Sequence, residues 1–80
     1  MVKQRGTVEK VTLVNKIYND LDHCTVQIGF DTYHAFYAYS ELVEFEGQDV
    51  TYILRPDMID GIKTFVITEI TLLSVVNTVA

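Results

Sequence analysis

Cations are scarce in this chain. Six lysines and arginines stand against eleven acids in eighty residues, for a formal net charge of −5. Sequence-independent affinity for nucleic acid comes from neutralising phosphates with lysine and arginine, so the composition disfavours a general nucleic-acid binder. The charge is also unevenly spread. Residues 1–19 carry Lys3, Arg5, Lys10 and Lys16 against Glu9 alone, a net of +3. Residues 20–80 carry ten acids against Arg55 and Lys63, a net of −8.

Cysteine, proline and tryptophan are nearly missing: one, one and none. A lone Cys24 excludes an internal disulfide, so stability must come from packing, as is usual in a reducing compartment. Four glycines at 6, 29, 47 and 61 form no phosphate-binding loop. The longest apolar stretch, Ile70 to Val76, contains Thr71 and Ser74 and falls well short of the ~20 residues that span a bilayer. The first six residues hold no apolar core of a secretory signal. Together these features predict a cytoplasmic protein with no membrane partner.

Apolar and aromatic residues are abundant, at 49%, enough for residues 1–80 to fold as one small domain. Their dominant period is two. Cys24, Val26, Ile28 and Phe30 alternate with polar or small residues, and Val50, Tyr52 and Leu54 do likewise. From Ile62 to Leu73 isoleucine, threonine, phenylalanine and valine prevail on both phases, as in a strand covered on two sides. The first strand, about 6–17, breaks phase between Val8 and Val14 on one side and Val11 and Leu13 on the other. A bulge or sharp bend accounts for that switch.

Turn chemistry separates the strands. Asn19-Asp20-Leu21-Asp22 and Gly29 to Thr32 bound the second strand, and Arg55 to Gly61, with Pro56 and Asp60-Gly61, divides the fourth from the fifth. Ser40 to Gly47 reads as a helix of at most two turns, with Ser40 as its cap and Leu42 and Phe45 facing inward. The order β, β, β, short helix, β, β predicts a mainly all-β, five-stranded OB-like barrel with a short helix between strands 3 and 4. An SH3-like barrel is the alternative.

Catalytic and metal chemistry find little purchase. His23 and Cys24 are neighbours on a strand and point to opposite faces, and Cys24 belongs to the apolar phase. His23, Cys24 and His34 lack any zinc-ligand spacing, with only Asp20 and Asp22 close in sequence. Glu41, Glu44 and Glu46 read as a solvated helix face. The expectation is no enzyme, no metal and no cofactor.

The run Tyr33-His34-Ala35-Phe36-Tyr37-Ala38-Tyr39 holds four tyrosine and phenylalanine rings in seven residues. Hairpin register decides which of them face the core. An even loop puts Tyr33, Tyr37 and Tyr39 on the face of Val26 and Ile28; an odd loop puts Phe36 inward and the tyrosines outside. Three buried phenols would need three hydrogen-bond partners, whereas Phe36 needs none, which favours the odd arrangement. The sequence therefore predicts a binding module that meets a protein partner, or a second copy of itself, through a tyrosine-rich face. The apolar segment Leu72 to Ala80 supports that expectation by packing on the barrel, extending the last strand or pairing with a neighbour. Single-stranded nucleic acid is the alternative ligand, stacked on Tyr33, Tyr37 and Tyr39 and neutralised by Arg55 and Lys63. A carboxylate surface that mimics nucleic acid is a third, weaker reading.

Overall fold

A computed structural model describes residues 3–18 and 21–73. Its strands are β1 (Gln4–Tyr18), β2 (Leu21–Ile28), β3 (Asp31–Tyr37), β4 (Asp49–Ile59) and β5 (Ile62–Leu72). Between β3 and β4 lie a helix, α1 (Tyr39–Leu42), and a 3₁₀ turn (Val43–Phe45). The strands close into a barrel in the order β1-β2-β3-β5-β4, with β4 returning to β1. Every pairing is antiparallel except β3 with β5.

The broken phase of β1 is a bulge. Val8 pairs with Ile28 and Lys10 with Gln27, so Glu9 is the extra residue. The insertion brings Val8 and Val11, three apart, onto the same inner face, where both are buried. It also lets one strand serve two neighbours: residues 4–7 pair with β4, and residues from Val8 onward pair with β2. Gly6 lies at that bend because a Cβ there would run into the side chain of Ile28.

The core is Val8, Val11, Cys24, Val26, Ile28, Ala35, Leu42, Val50, Tyr52 and Ile67. Each fully buried valine contributes about 1.5–3 kcal/mol of hydrophobic stabilisation. Leu42 plugs one end, which explains a helix too short to persist alone. Phe45 packs beside it, as its spacing predicts. The cap differs from expectation. Ala38, not Ser40, occupies the N-cap, with no side-chain bond of its own. The Tyr39 amide instead donates to the Asp22 carboxylate at 2.8 Å.

Three other local expectations are corrected. Phe30 is fully exposed rather than inward, because β2 stops at Ile28 and Gly29, at φ 62, opens a tight turn. Arg55 to Ile59 continues β4 rather than forming a loop; only Asp60 and Gly61, at φ 52 and 78, make the turn. Pro56 is tolerated because this stretch of β4 pairs with β5 alone and so has one free edge. Leu21 and Asp22 already belong to β2, and the remainder of that proposed turn, Asn19 and Asp20, lies outside the described residues. So do residues 74–80 of the C-terminal segment.

Candidate functional site: two grooves beside the β3–β5 seam

The barrel is closed by a short seam. β3 and β5 pair only at His34 with Val66 and Ala35 with Ile67. On both sides of these two pairs the strands diverge, and each divergence opens a groove.

One groove lies between the start of β3 and the β4–β5 hairpin. It has a volume of about 920 Å³, within the range of about 300–1,000 Å³ typical of ligand clefts. Tyr33, Pro56, Met58 and Phe65 give it apolar walls, with Asp31, Asp57 and Lys63 at its rim. Met58 and Phe65 are about half exposed, at 59% and 48%. Tyr33 packs against the core and its ring lies 5.8 Å from that of Tyr52. Burial, then the Tyr52 phenol and the Asp31 carboxylate, push its phenol up to about 12.

The other groove lies between β5 and the helical segment and holds about 620 Å³. Its floor is Tyr37, Leu42, Phe45, Ile70 and Leu72, and its polar lining is Glu41, Glu44 and Gln48. Tyr37 bridges the divergence by donating its hydroxyl to the Thr68 carbonyl at 2.6 Å. Burial first, and Glu69 second, raise its phenol above the ordinary value.

The register corrects the predicted tyrosine face. Val26 pairs with Tyr33, Cys24 with Ala35 and Asp22 with Tyr37, around the two-residue loop Gly29-Phe30. The loop is even, so Tyr33 and Tyr37 share the inner phase of Val26, and Phe36 points outward. Tyr33, Tyr37 and Tyr39 are half-buried against the core. The hydroxyls of Tyr33 and Tyr37 do not need partners in the core, because their rings pack against it while both residues line the grooves. The five predicted residues do not form one surface. Tyr33 and Lys63 line the larger groove, Tyr37 lines the smaller, and Tyr39 opens the helix. Arg55 is exposed and bonded to Asp57 at 2.8 Å, an ion pair of small energetic weight at that exposure.

A third feature has no counterpart in the tyrosine-centred expectation. On the outer face of β2 and β3, His23 Nε2 and His34 Nδ1 lie 2.8 Å apart. The His23 ring also stacks on Phe36 with centroids 4.9 Å apart. Burial, followed by His23, lowers the basicity of His34, while Asp60 works in the opposite direction. The even register is the signal that finds this cluster, since it sets His23 directly opposite Phe36. No group of three or more histidine, cysteine or acidic side chains could hold a metal among the described residues. Cys24 is fully buried, and burial followed by Asp22 raises its thiol.

No helix among the described residues is long and apolar enough to cross a membrane. Comparison with protein-family models, curated proteins and solved structures finds no match to this chain.

Proposed function

We propose that this chain is a non-catalytic binding module with an OB-like barrel, and that its partner is a protein or a second copy of itself. The OB likeness rests on the strand order, the parallel β3–β5 seam and the helix between the third and fourth strands. One observation carries the functional reading. The seam is two residue pairs long, and on either side it leaves unpaired strand edge beside an apolar groove. Unpaired edges and exposed apolar side chains are what a protein partner covers. Tyr33 and Tyr37 serve this reading as groove walls, presenting a rigid ring with a polar tip. Cys24, buried and the lone cysteine of the sequence, fits a cytoplasmic setting.

The second reading is single-stranded nucleic acid. It is favoured by the His23–Phe36 stack on the outer face of β2 and β3, where a base could continue the stack, with Lys63 as the cation that lines the larger groove. The net charge of −5 and the Arg55–Asp57 pair weigh against it.

Sedimentation velocity and fluorescence anisotropy separate the two. The protein reading expects no binding of a labelled single-stranded oligonucleotide at low salt. Salt-sensitive binding that is lost in Phe36→Ala and Lys63→Glu would transfer the function to nucleic acid. A concentration-dependent rise in sedimentation coefficient would identify the second copy as the partner.

A further inference from the structure

We infer that the smaller groove is a strand-addition site for an extended, basic segment of a partner protein, which pairs with the open edge of β5 at Ile70 and Leu72. The inference rests on the protein-binding reading above and names the chemistry of the partner.

The edge comes first. The Leu73 amide donates back to the Asp49 carbonyl of β4 at 2.9 Å. Antiparallel ladders alternate, so in the register Val50 to Leu72, Thr51 to Thr71 and Tyr52 to Ile70 the Thr71 backbone also faces β4. The amides and carbonyls of Ile70 and Leu72 therefore face the other way, into the groove. At Thr68, where β5 shifts register against β4, the carbonyl also faces Tyr37 and accepts its hydroxyl. β3 could have covered this edge but ends at Tyr37, where the chain turns into the helix.

Two other edges of the barrel carry a cover or a block. β1 is stitched to the segment after the helix by Gly47 donating to Val8, Val8 donating to Gln48, and Val11 donating to the Glu46 carboxylate. The free edge of β4 carries Pro56, which has no amide to offer. Among the described residues, the Ile70–Leu72 edge has neither device.

The lining selects the occupant. Strand addition takes affinity from main-chain bonds and specificity from pockets for alternate side chains. Here the pocket is apolar, formed by Leu42, Phe45 and Ile70, and its charged lining is Glu41 and Glu44 with no cation. A segment that alternates an aliphatic side chain with arginine or lysine matches both. Its aliphatic groups would reach the pocket while its cations meet the two glutamates.

The test is an amide-resolved NMR titration of the whole chain with two capped peptides, one alternating valine and arginine, the other alternating valine and glutamate. The basic peptide is expected to shift Ile70, Leu72, Tyr37 and Phe45. Glu41→Lys with Glu44→Lys should weaken it about tenfold, as two rim charges reversed would. Leu72→Pro removes the groove-facing amide together with the Leu72 side chain and leaves the β4 ladder whole, so it should fold, as its amide spectrum will show, and lose binding. Leu72→Ala, which loses the side chain but keeps the amide, should lose less. Equal binding of the acidic peptide, or undiminished binding by Leu72→Pro, overturns the inference. Shifts confined to Thr32, Met58 and Lys63 also overturn it but keep the protein-binding reading, with the larger groove as its site. No shift with either peptide at millimolar concentration overturns it as well; if an oligonucleotide then binds, the protein-binding reading falls too.

Discussion

The Asp22 carboxylate on β2 accepts the Tyr39 amide at 2.8 Å, tying the second strand to the first residue of the helix across seventeen positions of sequence. Asp22 is 4% exposed, and its other carboxylate oxygen has no partner among the described residues. It therefore acts as a side-chain cap supplied from another strand, in place of the absent cap at Ala38. Asp22→Ala leaves the Tyr39 amide without that acceptor and is expected to lower stability by about 1–3 kcal/mol. Asp22→Asn keeps an acceptor and should lose less. Urea unfolding midpoints compare the two.

The contact between His23 and His34 gives stability a pH dependence. One ring nitrogen must donate and the other accept, and burial together with His23 holds His34 below its ordinary 6.5. The unfolded chain then binds a proton that the folded chain resists. Stability is expected to be full above about pH 7 and to fall as pH drops below the ordinary histidine value. Asp60 opposes the shift and limits its size. Unfolding midpoints at neutral pH and at pH 5 should differ more in the native chain than in His34→Gln. Equal slopes in both would assign the dependence to other groups.

Gly6 lies against the Ile28 side chain of β2. A Cβ at this position meets the Ile28 side chain, which is itself buried in the core. Gly6→Ala is expected to cost about 1–3 kcal/mol by overpacking. Coupling to Ile28→Val should recover part of that loss, and a double-mutant cycle on thermal unfolding measures it.

Much of the architecture is legible in the sequence, because alternation and turn residues act locally. The strands, the helix between β3 and β4 and the bulge that reunites Val8 with Val11 can all be read in this way. The register of β2 against β3 cannot. Gly29 serves equally as the last residue of a strand or the first of a turn, and that single choice inverts every side chain from Tyr33 to Tyr37. Hydrogen-bond demand pointed the wrong way because it treats a tyrosine as buried or exposed as a whole. In this barrel the ring of Tyr37 is half-buried while its hydroxyl bonds to the open edge at Thr68. The grooves are illegible for a related reason. They arise where β3 and β5 part, and those strands are about thirty residues apart in the chain.

Amide hydrogen exchange of the free chain, read at adjacent residues of β5, tests the open edge most directly. Thr71 and Leu73, whose amides face β4, are expected to exchange slowly, while Ile70 and Leu72 exchange rapidly at every protein concentration. Adding the basic peptide should slow Ile70 and Leu72 alone. Protection of Ile70 and Leu72 equal to that of Thr71 in the free chain would contradict the account, because the edge would already be covered.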